Sequence, residues 1–225
     1  MKNASLFLHE EMMLLALCDR EGTIISGAWY HQALGGALIA ELLLSERIAV
    51  EKSGKGKLVE VLSAKSFGDP VLDECLDKIC NAKKRASLQT WLSRFANVKN
   101  LKHRVAEKLC ERGILRADED KVLFFFTRKI YPEADHQPEK QLTDRLHQAI
   151  FTDTMDLDPR TIVLISLANS ANILKGNFDR TRLKTRKERI EKIASGDIVG
   201  QAAKEAIEAI QAAVMVACVV PTITS

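Results

Sequence analysis

Aromatic residues are scarce, 5% of 225 positions, and there are only five prolines. A groove that stacks successive bases on aromatic rings has little to be built from, and the basic runs carry no interleaved aromatics, so no nucleic-acid partner is expected. No stretch rich in proline, glycine or serine is long enough to separate two domains. Strongly apolar runs of about 20 residues, the length needed to span a bilayer, are missing too. The longest nearly uncharged stretches are 28–44, interrupted by Glu41, and the Ala-rich 209–225, which ends near Pro221. The apolar start is broken by Glu10 and Glu11, which a secretory signal would not carry. Cysteines are few and scattered (Cys18, Cys75, Cys80, Cys110, Cys218), without a Cys-x-x-Cys pair and away from the five histidines. That pattern excludes a disulfide framework or a zinc site and predicts free buried thiols. An excess of one charge is also lacking: 33 Lys and Arg against 30 Asp and Glu leave +3. Catalytic signatures are absent, with no Gly-x-Ser-x-Gly and no His-Glu-x-x-His. Ser53-Gly54-Lys55-Gly56-Lys57 lacks the spacing of a phosphate loop and the helix that should follow one. No cofactor and no metal are called for.

What is present is an ordinary globular composition, 46% apolar and 28% charged, long enough to bury about 70% of the unfolded surface. A single domain over 1–225 is expected. Its class is mainly α, a helical bundle around a buried central helix, with two small β-hairpins. Helices are predicted at 5–18 and 28–45, the second apolar nearly all round and therefore a core helix. Gly35-Gly36 inside it costs helix stability, which argues for close approach by another backbone or by a phosphate. A hairpin follows, Arg47–Glu51 with Lys57–Leu62. Asp69-Pro70 caps and opens a helix at 70–82, and further helices are predicted at 87–96 and 98–112. A second hairpin is expected to open at Ile114-Leu115, turn at Ala117-Asp118-Glu119-Asp120 and return through Val122–Thr127. The remainder is predicted as helices at 138–151, 159–175, 181–194 and 198–219.

Three features bear on function. Glu10, Glu11 and Glu41 lie on apolar helices and are expected to serve structure through arginine partners, with Arg47 the nearest candidate for Glu41; a catalytic acid–base pair is the alternative. Phe124-Phe125-Phe126 points aromatics to both faces of a strand, either covered on both sides or exposed for contact with a membrane or another subunit. Lys99 and Lys102, three apart on one face near a helix N-terminus, form a candidate phosphate site. The Arg182–Lys192 run reads as a solvated helix face that could also meet anionic lipid.

Six blocks taken in order carry a resemblance: Leu6 to Gly22; Ala33-Leu34-Gly35-Gly36-Ala37-Leu38-Ile39-Ala40-Glu41-Leu42 followed by Arg47-Ile48; Asp69-Pro70-Val71-Leu72-Asp73-Glu74 with Leu88-Gln89-Thr90-Trp91-Leu92; Arg104 to Leu115; Phe124 to Pro132; and Thr161 to Asn169 running on to Phe178. Together they resemble the Golgi phosphoprotein 3 family of phosphoinositide-binding peripheral membrane proteins. The resemblance implies a helical fold around a buried helix, no enzymatic activity, and docking on phosphatidylinositol 4-phosphate. It also implies a role in sorting or retaining glycosyltransferases in eukaryotic members, and a hairpin used for membrane insertion or oligomer contacts. The two basic residues that the family sets one turn apart before the fourth block fall on Lys99 and Lys102. The tryptophan that the family sets against the lipid is matched by Trp29, about three positions nearer the second block. The arginine of that block is replaced by Gly35. The start at the first core helix, without the basic tail through which eukaryotic members engage coat proteins, fits a bacterial-type member.

The leading expectation is thus a non-catalytic cytoplasmic protein, peripheral on a membrane. It would bind anionic phospholipid headgroups through Trp29, Lys99 and Lys102, with Phe124, Phe125 and Phe126 as the inserting or oligomer-forming hairpin. The membrane would be the cytosolic face of the Golgi in a eukaryote or the inner face of the plasma membrane in a bacterium. Membrane-protein cargo and a homo-oligomer are the expected partners. The alternative is an interaction and oligomerisation module of the same fold that binds no phosphoinositide.

Overall fold

Every residue of the first helix, α1 (Leu8–Ala16), is buried, Glu10 and Glu11 included. The computed structural model describes residues 5–18, 21–53, 56–122, 126–155 and 157–196. Around α1 pack α2 (Tyr30–Leu44), α5 (Leu101–Glu111), α6 (Gln137–Phe151), α7 (Pro159–Ser170) and α8 (Leu174–Asn177). α2 is buried from Ala33 to Leu42 and α7 from Thr161 to Ala168, so these two and α1 form the interior of the bundle. α3 (Pro70–Cys80), α4 (Leu88–Ala96), α9 (Arg180–Thr185) and α10 (Lys187–Ala194) complete the helices among the described residues. Among the described residues there are three two-stranded antiparallel sheets, one more than the two hairpins expected: β1 (Leu17–Cys18) with β2 (Thr23–Ile24), β3 (Ile48–Ser53) with β4 (Gly56–Val61), and β5 (Asp118–Val122) with β6 (Phe126–Ile130). The mainly α class expected from the sequence is observed.

The paired glycines of α2 allow its close packing. A Cβ on Gly35 would lie 2.7 Å from the backbone nitrogen of Ala96 in α4, and one on Gly36 would lie 2.5 Å from Leu167 Cδ2 in α7. Backbone approach, one of the two expected reasons for this pair, is what Gly35 provides, whereas Gly36 makes room for the Leu167 side chain. Helix starts follow local chemistry. Asp69 accepts from the N–H groups of Val71 and Leu72, Ser87 from Thr90, Asp158 from Thr161 and Asp179 from Arg182, capping α3, α4, α7 and α9.

The buried carboxylates have structural partners far away in the chain. Arg112 donates to Glu10 at 2.7 Å and Arg145 to Glu11 at 2.8 Å. Arg160 grips both oxygens of Glu41, at 2.9 and 3.1 Å, and also the Leu6 carbonyl. Glu41 in turn accepts the Leu8 N–H and Glu10 the Phe7 N–H, so these side chains cap α1. Burial pushes Glu11 above the usual carboxylate range, against the pull of Arg145 and Arg160. Arg47 is not the partner of Glu41. Its guanidinium donates to the Lys65 and Ser45 carbonyls and lies over the Phe67 ring.

Other expectations need correction. The helix expected over 5–18 ends at Ala16, where the chain enters β1. The segment 159–175 breaks after Ser170, with Asn172 in the left-handed region, and 181–194 breaks at Arg186. The second hairpin is displaced along the chain: Asp118-Glu119-Asp120, expected as the turn, forms strand β5 and pairs with Arg128-Lys129-Ile130 of β6. Phe126 opens β6 opposite Val122, while Phe124 and Phe125 lie outside the described residues, as do Cys218 and the helix expected at 198–219. Tyr131, reckoned with that hairpin, is buried. Of the described cysteines, Cys75 is buried, with its thiol pushed up to about 12 by burial, but Cys80 at the end of α3 is exposed. The Arg182–Lys192 run is only partly a solvated face. Arg186 donates to the Phe151 carbonyl and Asp153, Arg189 to the Ala149 and Thr154 carbonyls, and together they fasten the loop after α6.

Candidate anion-binding cleft

α4 and α5 are joined by a tight turn, Asn97–Asn100, in which Asn100 takes a left-handed conformation (φ 56°). The turn reverses the chain so that the N-terminus of α5 comes beside the N-terminus of α2. Between them lies a cleft of about 470 Å³, lined by Tyr30, His31 and Gln32 of α2, the end of α4, and Asn100, Leu101, Lys102 and His103. Unlike α3, α4, α7 and α9, neither α2 nor α5 has a side-chain cap. Their first-turn residues line the cleft, where the exposed N–H ends of two helices favour negative charge.

Trp29, Lys99 and Lys102 of the expected site lie in or beside this cleft but play different parts. Lys102, in the first turn of α5, lines the cleft and is half-buried; burial, and then the positive charge of Arg128, lowers its ammonium pKa. Lys99 precedes the helix in the turn and stands exposed outside the lining, so the two lysines do not share a helical face. Neither lysine forms an ion pair with any described residue. Trp29 is the N-cap residue of α2, next to the cleft rather than within it. Its N–H donates to the Ala171 carbonyl, and it is 41% exposed, one of the few large apolar residues left in solvent. Gly35, where the resembled family has an arginine, faces α4 one turn farther along α2; its contact with Ala96 leaves no room for a side chain.

Sequence reasoning missed three groups here. His31 lines the cleft two residues after Trp29 and lies tilted against the Tyr30 ring, with centroids 3.9 Å apart. His103 lines it beside Lys102, and its Nδ1 lies 2.8 Å from the hydroxyl of Tyr131. Burial, with neighbouring negative charge, pushes that hydroxyl up to about 12, so it stays protonated. The adjacency of both histidines to residues already singled out was the available signal. The result is a pocket lined by one cation, Lys102, two imidazoles and amide donors and without a lining carboxylate, suited to a compact oxyanion. It offers no nucleophile and no cluster of metal ligands is found among the described residues.

A family model described as Golgi phosphoprotein 3 (GPP34) matches residues 8–210. The chain belongs to the Golgi phosphoprotein 3 family. It is also similar to vacuolar protein sorting-associated protein 74 of Schizosaccharomyces pombe, at 22% identity over 226 residues. That alignment covers 85% of this chain and 66% of the yeast protein, so the chain spans just under two thirds of its relative. The Golgi phosphoprotein 3 match extends over α1 to α10 and thus over both helices that form the cleft. Among the described residues no helix is long and apolar enough to cross a membrane.

Proposed function

We propose that this protein is a non-catalytic peripheral membrane adaptor that docks on anionic phospholipid headgroups, of the phosphatidylinositol 4-phosphate type, through the cleft between α2 and α5. The observation that carries this reading is the convergence of two side-chain-uncapped helix N-termini on a cleft with an unpaired, half-buried Lys102. Lys99 at the rim adds charge, and exposed Trp29 supplies an amphipathic ring of the kind that sits at headgroup level. The family's description favours the Golgi over a bacterial plasma membrane, and the name of the yeast relative supports a role in protein sorting.

The test is flotation with phosphatidylcholine vesicles containing phosphatidylinositol 4-phosphate. Wild-type protein is expected to co-float and to be released by salt, since surface electrostatics are screened within about 8 Å at physiological ionic strength. Lys99→Glu with Lys102→Glu should abolish binding, and undiminished binding by that variant would remove the site assignment. The second part of the proposal is self-association through the β5–β6 hairpin. It is tested by light scattering on Phe125→Asp, which should lower the oligomer mass without affecting vesicle binding.

A further inference from the structure

Beyond the lysine, the chain provides the cleft with two imidazoles from opposite walls, His31 on α2 and His103 on α5. We propose that both histidines are ligands of the bound anion and bind it as imidazoliums, so that capture of a dianionic phosphomonoester takes up protons from solution. The inference rests on the reading of the cleft as an anion site and specifies how that site selects charge.

Geometry supports it. His31 and His103 flank Lys102 in the lining. With Nδ1 of His103 engaged by Tyr131, Nε2 is its remaining polar atom, and no described residue bonds to it. The surrounding charge is mostly positive. Lys102 faces both rings, Lys129 of β6 faces His103, and Arg128 of β6 faces Lys102. Glu107, on the same helix as His103, is the opposing carboxylate, and it is bonded to Lys129 at 3.3 Å. Tyr30 and Tyr131 complete the titratable neighbours. Desolvation first and Lys102 second lower the pKa of both imidazoles. Both effects favour the neutral imidazole, and an entering dianion reverses the balance by offsetting Lys102. The requirement has a structural origin: with Gly35 unable to carry a side chain against α4, positive charge beyond that of Lys102 can come from the histidines on demand. A phosphodiester, with a single negative charge, gives less return for two protonations than a phosphomonoester.

Inorganic sulfate isolates the effect, because it remains dianionic where a phosphomonoester, with its second pKa near 6, itself takes up protons. Calorimetry between about pH 7.5 and about pH 5.5 should show affinity for sulfate rising up to about tenfold per pH unit for each proton taken up. The ring NMR titrations of His31 and His103 should move to higher pH on adding sulfate. His31→Asn with His103→Gln, the glutamine keeping a polar partner for Tyr131, should flatten the pH dependence while the far-UV spectrum stays unchanged. Soluble inositol 4-phosphate and phosphatidylcholine vesicles containing phosphatidylinositol 4-phosphate should show the same histidine dependence. A pH effect confined to vesicles would place its origin in the lipid surface and overturn the proposal. If sulfate affinity is flat with pH and both rings titrate unchanged, the histidines are not ligands, although vesicle binding that still requires Lys102 would leave the cleft reading intact. If sulfate does not bind and vesicle binding ignores Lys102, both readings fall.

Discussion

Two charged regions of the molecule follow opposite rules. Around α1, three buried carboxylates each meet an arginine, and the paired groups also satisfy the first N–H groups of the helix. At the mouth of α2 and α5, by contrast, two helix ends go without side-chain caps and a half-buried lysine goes without a counter-ion. In the first region charge has been used up in holding helices together. In the second it is left over, and unsatisfied charge at a surface is free to act on a ligand. Removing a partner should thus cost stability in the one and binding in the other.

The largest effect is expected from Arg160→Met. It leaves Glu41 and Glu11 buried without their shared guanidinium, and should destabilise the fold by about 3 kcal/mol in denaturant unfolding, as for broken buried ion pairs. Gly35→Arg tests the boundary between the regions. It restores the residue type that the resembled family places there, yet the 2.7 Å approach of Ala96 predicts overpacking of about 2 kcal/mol and no gain in vesicle binding. Asp69→Ala, which removes the cap of α3, should cost about 1 kcal/mol at neutral pH. Burial raises the Asp69 pKa, but His9 and the N–H groups of Val71 and Leu72 outweigh this and hold it below its usual range. Its stabilisation is therefore present above the unfolded carboxyl pKa and is lost as pH falls through the folded one, so the two proteins should converge in acid-unfolding curves. The smallest effect on stability is expected from Lys102→Ala, within about 0.5 kcal/mol. The same change should let the NMR titrations of His31 and His103 rise toward ordinary values, because a like charge beside both rings is gone.

Legibility in the sequence divides along physical lines. Local signals were sufficient for α3, where Asp69-Pro70 is both cap and first turn, and for α2, whose glycine pair foretold a close neighbour. Partners remote in sequence were not readable: Arg112, Arg145 and Arg160 lie 102, 134 and 119 residues from the carboxylates they bind. Nothing in the chain distinguished Arg160 from Arg47 as the partner of Glu41. The second hairpin was misplaced because acidic residues favour turns and the phenylalanine run favours a strand. Its true register was written in charge, since Glu119 stands opposite Lys129 and Asp120 opposite Arg128, the latter pair bonded at 2.7 Å. At the cleft, spacing revealed Lys102 but misassigned Lys99 to the helix, because the left-handed Asn100 delays the start of α5 to Leu101, three residues later than predicted.

Tyr131 joins parts of the molecule that have been described separately. Its N–H donates to the Gly22 carbonyl at 2.9 Å, and Gly22, with φ of 60°, admits the chain there because a Cβ would lie 2.2 Å from the nitrogen of Pro132. The residue directly follows β6, and its hydroxyl meets His103. One residue thus ties three places together, its backbone bonded to the β1–β2 turn, its chain continuous with β6 and its hydroxyl at the wall of the cleft. Tyr131 is thereby the point at which the base of the second hairpin and the wall of the anion cleft are held to the same part of the core.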